Sequence, residues 1–195
     1  MTNTNIIEIF CILDEFCKYL SPEMKKHQIP VPGKVCRNRP SLMSDSEIML
    51  ILILFHTYRF RDLKSFYLGY VCIHMKKEFP KTLSYNRFVE RQSQVGIQLL
   101  LFLQTCSLGK CTGISIIDST PLVACHIKRE RSHKTMKGWA EKGKCTMGWF
   151  YGFKLHLVIN DKGEIIQWRL TSGNVDDSEP LKDKTFTERL FGKLF

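Results

Sequence analysis

The hydrophobic period of this chain changes once, and that change limits what it can fold into. Up to about residue 108 the apolar residues recur at helical spacing. Beyond Gly109–Gly113 they alternate as in strands. In the first half, Ile6, Ile9, Phe10, Leu13, Phe16, Cys17 and Leu20 form a 3-4 repeat that predicts an amphipathic helix over 5–20. Residues 21–43 are basic, contain Pro22, Pro30, Pro32, Gly33 and Pro40, and read as a loop. Ser44 with Glu47 three positions on is a capping box, and it opens a very apolar helix to about Tyr58. Arg59–Asp62 marks a turn, a further helix runs to about Glu78, and Pro80 stops it. Ser84 can cap a long helix from Tyr85 to about Cys106.

In the second half, Ile114–Asp118 predicts a short strand ending on a carboxylate, continued irregularly to His126. Residues 127–146 read as a polar, basic loop. Trp149–Asn160 is a strand in which Phe153, Leu155, Leu157 and Ile159 alternate with Lys154, His156, Val158 and Asn160. Asn160–Gly163 is a hairpin turn and Glu164–Thr171 the returning strand. Asp177 or Ser178 can cap a final helix to about Leu190, and Phe191–Phe195 opens another strand. The fold class is therefore α+β or α/β. A helical domain over 1–108 precedes 109–195, whose order β1-β2-β3-α-start of β4 is the first part of a ribonuclease-H-like sheet.

Composition narrows the function. Lys and Arg number 29 against 19 Asp and Glu, a formal charge of +10, so the first partner to consider is a polyanion. With 44% hydrophobic and 25% charged residues among 195, the chain is not disordered. The longest apolar run, Ile48–Phe55, is far short of the roughly 20 residues of a bilayer span, and Met1–Phe10 lacks the basic start of a signal peptide. Eight cysteines without any C-x-x-C pair read as reduced thiols. Cys125, His126, His133 and Cys145 are zinc-type ligands, but their spacing fits no usual zinc template.

The candidate chemistry lies in the second half. Asp118 ends an apolar strand, where a buried carboxylate is costly without a cation or donors. It is either a ligand of a two-metal phosphoryl-transfer site or a cap of the following turn. Asp176 and Asp177 stand at a strand-to-helix junction, where capping competes with catalysis. Lys154 and His156 share a strand face, either as solvated residues or to contact a phosphate or orient Asp118. From His126 to Lys144 seven cations, Lys128, Arg129, Arg131, Lys134, Lys137, Lys142 and Lys144, outnumber Glu130 and Glu141, with Trp139 and Trp149 nearby. That composition is either a solvated face or a contact with a DNA backbone. Residues 61–79, with Arg59, Arg61, Lys64, Lys76 and Lys77, could belong to a helix-turn-helix reader.

Three blocks in this order, Ile116-Ile-Asp-Ser-Thr-Pro-Leu122, Gly148-Trp-Phe-Tyr-Gly-Phe-Lys-Leu-His156 and Leu170-Thr-Ser-Gly-Asn-Val-Asp-Asp-Ser178, resemble those of bacterial insertion-sequence DDE transposases. The nearest group is the insertion-sequence 982 family. The resemblance spans nearly the whole chain, including Leu42-Met-Ser-Asp-Ser-Glu47. It implies a ribonuclease-H-like core, cleavage and joining of DNA (transposon ends and target) with Mg2+ or Mn2+, a possible homo-oligomer, and a cytoplasmic, nucleoid-associated bacterial location with no membrane. It makes Asp118 the first catalytic Asp and metal ligand, Asp177 a supporting residue at the start of the helix after the returning strand, and Lys154 and His156 supporting groups.

In such relatives the second catalytic Asp lies slightly later, in an Asp-x-Gly-Tyr motif, and a Glu follows. This sequence stops at Gly192–Phe195, so the resemblance implies a C-terminally truncated transposase that is inactive alone. The alternative is a catalytically dead DNA-binding remnant, or an inhibitor that forms mixed oligomers with an intact transposase. A helical interaction protein unrelated to DNA would leave the Asp118 block unexplained.

Overall fold

The computed structural model describes residues 3–26 and 41–195. Cys36 and most of the basic, proline-containing loop expected over 21–43 lie outside the described residues. The chain divides into two compact units, residues 1–105 and 106–195.

The first unit is helical and is built around α2 (Asp45–Thr57). Ser44 begins it with the expected capping box. Its hydroxyl accepts the Glu47 N–H (3.1 Å), and its own N–H donates to the Glu47 carboxylate (2.7 Å). Ile48 to Leu52 and Leu54 are all buried, so α2 is apolar round its circumference and needs cover on several sides. Two helices supply it, α1 (Asn3–Lys26) and α5 (Tyr85–Thr105). Polar ties fix them at the start of α2. Asp45 accepts hydrogen bonds from Arg91 and Gln98 of α5, and Ser46 donates to Asp14 of α1 (2.9 Å).

Two expectations for this unit need correction. The first helix does not end at residue 20 but continues through Pro22 to Lys26. A proline loses its own amide bond and crowds the carbonyl four residues back, and at Pro22 both effects fall near the end of the helix. The helix expected up to Glu78 is also not one regular helix. It runs as α3 (Leu63–Ser65), a π-helical stretch Phe66–Val71 and α4 (Cys72–His74). The wider π turn accompanies burial of both neighbouring rings, Phe66 and Tyr67. Tyr67 stacks on Phe88 (4.2 Å between centroids) and donates its hydroxyl to the Leu83 carbonyl (2.7 Å).

The second unit is a five-stranded sheet. β1 (Ile114–Cys125), β2 (Glu141–Cys145), β3 (Gly148–Asn160), β4 (Ile165–Ser172) and β5 (Lys193–Leu194) follow in chain order. β3 is the hub, with β1 antiparallel along one edge and β4 and β2 antiparallel along the other. β5 adds to the far side of β1 in parallel. Across the sheet the order is therefore β4-β3-β1-β5, with β2 extending the β4 side.

Here too the structure departs from expectation. β1 is twelve residues long, so Asp118 lies within it rather than at its end. The stretch 127–146 is not all loop. It holds a 3-10 turn at Ile127–Ser132 and the strand β2, which carries almost no apolar alternation to announce itself. β2 lies close because its inner position is Gly143, buried beside the Phe150 ring and the Gly173 carbonyl, where a Cβ has no room. Gly152 is pinned in the same way against the Leu122 carbonyl. The final helix expected over 178–190 is instead a 3-10 turn (Glu179–Lys182) and a one-turn α6 (Lys184–Thr187) capped by Asp183.

These short helices cover one sheet face, where Phe186 packs with Val158 and Ile166. Arg169 clamps them, with its guanidinium 2.8 Å from Asp183 and over the Phe186 ring. On the opposite face Ile114, Ile116, Leu122 and Leu170 are exposed. No described helix is long and apolar enough to cross a membrane.

Two substitutions test this arrangement. Ser44→Ala should cost about 1 kcal/mol through loss of the cap. Gly152→Ala should cost more, because its Cβ enters the backbone of a paired strand. Urea unfolding of both variants measures the order.

Candidate functional site

Pairing along β3 decides which side chains share a face. Ser119 lies opposite His156 and Pro121 opposite Lys154, while Asp118 lies opposite Leu157. Directly opposed residues point to the same side, and successive residues to opposite sides. The side of β3 that carries Lys154, His156, Val158 and Asn160 is the buried one, and Phe153, Leu155, Leu157 and Ile159 are only half-buried. Lys154 and His156 are thus not solvated strand residues. The short helices and the 172–178 turn close over their face.

Lys154 is 9% exposed. Its ammonium donates to the Val175 carbonyl (2.9 Å) and to Asp177 Oδ1 (2.9 Å). Such a buried cation is tolerated only with partners of this kind. Asp177 accordingly does not cap a helix. Its carboxyl is held below its ordinary value chiefly by the Lys154 ammonium, with the Ser119 hydroxyl helping and partial burial opposing. Asp176 has the local role, accepting both the N–H (2.9 Å) and the hydroxyl (2.6 Å) of Ser178.

His156 is fully buried. Its Nε2 meets Thr171 Oγ1 at 2.9 Å, and Nδ1 has no hydrogen-bond partner among the described residues. Desolvation pushes its pKa below the ordinary value. Lys154 and Arg169 act in the same direction, and Asp177 opposes them.

Asp118 differs from these. It is exposed, and its carboxylate accepts the N–H of Ser119 (2.8 Å). The expectation of a buried strand-end carboxylate is not met, because alternation turns it to the open face of the sheet. It nonetheless lines a cavity of about 340 Å3 together with Ser119, Lys144, Met147, Lys154 and Asp177. The structure therefore gathers Asp118, Asp177 and Lys154 around one cavity and places His156 behind them. Sequence reading missed Ser119, Thr171 and the Val175 carbonyl. Their only signal was the register, which pairs Ser119 with His156 and Lys154 with Thr171.

The divalent metal implied by the resemblance requires several free oxygen ligands. Among the described residues no three His, Cys, Asp or Glu side chains gather as a metal site, and Asp177 is committed to Lys154. These residues do not by themselves compose a two-metal site. The zinc-type set Cys125, His126, His133 and Cys145 forms no such group either.

The seven cations expected to meet DNA are all exposed. Lys128, Arg129 and Arg131 lie on the 3-10 turn, Lys134 and Lys137 follow it, and Lys142 and Lys144 stand on β2 above the Trp149 ring.

Residues 108–195 match the family model described as a transposase DDE domain. No curated protein and no solved structure matches the chain.

Two outcomes are expected at this site. Asp177→Ala leaves the Lys154 ammonium with only the Val175 carbonyl, and should cost roughly 1–3 kcal/mol in urea unfolding. His156 favours its neutral form in the folded state, so protons bind the unfolded chain more readily. Stability should fall as pH drops below about 6.5 and continue to fall until the depressed folded value is reached. His156→Phe should flatten that acid limb, as measured by urea midpoints across the range.

Proposed function

We propose that this chain acts on DNA as a transposase of the DDE type, nearest the insertion-sequence 982 family, with the second unit forming a ribonuclease-H-like catalytic core. The observation that carries the reading is the transposase DDE domain match over 108–195, within which Asp118 lines a cavity with Lys154 and Asp177. The strand order β4-β3-β1-β5, with β5 alone parallel to β1, supports such a core.

In this reading the seven exposed cations of 128–144 neutralise phosphates of transposon ends and target, and position the duplex at the cavity. Lys154 holds Asp177 and closes the 172–178 turn over β3. His156, kept neutral by its dry surroundings, adds no charge behind the site. Asp118 is the open carboxylate and the residue that would hold Mg2+ or Mn2+. The first unit serves as a DNA-binding domain, and DNA cleavage and joining engage more than one copy of the chain.

A second reading, a DNA-binding protein without cleavage that would inhibit an active transposase in mixed oligomers, is favoured by the commitment of Asp177 to Lys154. A supercoiled plasmid incubated with Mg2+ or Mn2+ separates the two. Nicking by the wild type that disappears in Asp118→Asn supports the enzyme, and binding without nicking supports the second reading.

Both readings require salt-dependent binding to duplex DNA. Replacing Lys128, Arg129 and Arg131 together by Gln should reduce the slope of log affinity against log salt by roughly 3, at about 0.9 per phosphate contact. A wild-type affinity that ignores salt would sink both.

A further inference from the structure

The hairpin of β2 and β3 presents an arrangement that contact with phosphates alone does not account for. Trp149 is 58% exposed on β3. Its strand neighbour Phe150, one position on and therefore on the other side, is buried. The sheet thus had an interior to offer and turned the larger indole outward. Lys144 lies directly opposite Trp149 in the β2–β3 ladder, and Lys142 follows on the same face. Their ammonium groups stand 5.9 Å and 4.7 Å from the ring centroid. Among the described residues neither lysine has an ion pair with a carboxylate. Two like charges beside one aromatic ring repel each other, and the ring's quadrupole compensates only in part. An anion would complete the arrangement.

Trp149 also forms part of the wall of a cavity of about 190 Å3 with Val123, Met147 and Phe150. Met147, at the hairpin tip, is 90% exposed, so a flexible thioether stands at the rim. These walls suit a flat ring rather than a charged group. Pro121, Cys145 and Met147 line this cavity and also the one that holds Asp118, Lys154 and Asp177. The two cavities are therefore neighbours across the hairpin tip.

We propose that Trp149 is a stacking platform for a DNA base that has left the duplex, with Lys142 and Lys144 neutralising the phosphates on either side of it. A base stacked within a duplex presents only its edges, so the ligand is an unpaired nucleotide, whose face is free to lie on the indole. With the base on Trp149, the sugar-phosphate backbone attached to it runs beside the Asp118 cavity. The inference rests on the DNA reading above and adds to it a preference for locally opened strands.

The test compares two probes across the same series of salt concentrations, a blunt duplex and the same duplex carrying a short single-stranded end. Wild-type protein should bind the single-stranded end more tightly, and that probe should quench the emission contributed by Trp149, read as the difference between wild type and Trp149→Phe. Trp149→Ala should bind the single-stranded end roughly tenfold more weakly, with unchanged affinity for the blunt duplex and an unchanged salt slope. Trp149→Phe, which keeps an aromatic face, should retain most of the preference.

Equal quenching by both probes, or none, overturns the proposal whatever the variants do. So does a Trp149→Ala protein that loses equally on both probes, or on neither. If wild-type protein binds neither probe in a salt-dependent way, the DNA reading fails. If it binds both and shows no dependence on Trp149, the stacking platform alone fails.

Discussion

The second unit is organised around one buried charge. A lysine that is only 9% exposed must find acceptors for its ammonium, and Lys154 finds them in the Val175 carbonyl and the Asp177 carboxylate. That requirement draws the 172–178 turn back over β3. The turn then delivers the chain to its 3-10 turn and to α6, whose Phe186 seals the same face beside Val158 and Ile166. His156, behind the lysine, is buried by the same closure and loses water on both ring nitrogens while regaining a partner at one. A more loosely held turn would expose the histidine and open the small core together.

The elements with strong local chemistry were legible in the sequence. The Ser44–Glu47 box, the apolar run that follows it, the 5–20 periodicity and the Asn160–Gly163 turn each state their structure within a few residues, and each is found. What was not legible depends on partners distant in sequence. β2 is a strand because Gly143 can lie against Phe150 and Gly173, not because Glu141-Lys-Gly-Lys-Cys145 favours one. Asp177 sits where capping rules place a helix start, yet a lysine 23 positions earlier claims it and the cap passes to Asp183.

The candidate site shows the same division. Asp118, Lys154, His156 and Asp177 can be singled out by residue type, but their roles come from register. Polar residues that alternate with apolar ones usually mark the wet side of a strand, and β3 reverses this because the short helices cover its polar side. Composition pointed to a polyanion and to the cations of 128–144. Only the fold shows that two of those cations flank a tryptophan, with the remainder on and after the 3-10 turn.

Strand alternation also makes β1 a binary device. Asp118 and Ser119 are neighbours in sequence that look out from opposite sides of the sheet, one open and one joined to the Asp177 and Lys154 cluster. Deleting or inserting a single residue inside β1 would exchange those two outlooks for every position beyond it, even if all backbone hydrogen bonds re-formed. A hydroxyl would then face solvent and a carboxylate would face the buried lysine. The strand can thus accept many changes of residue identity, but a change in the count of its residues inverts the site.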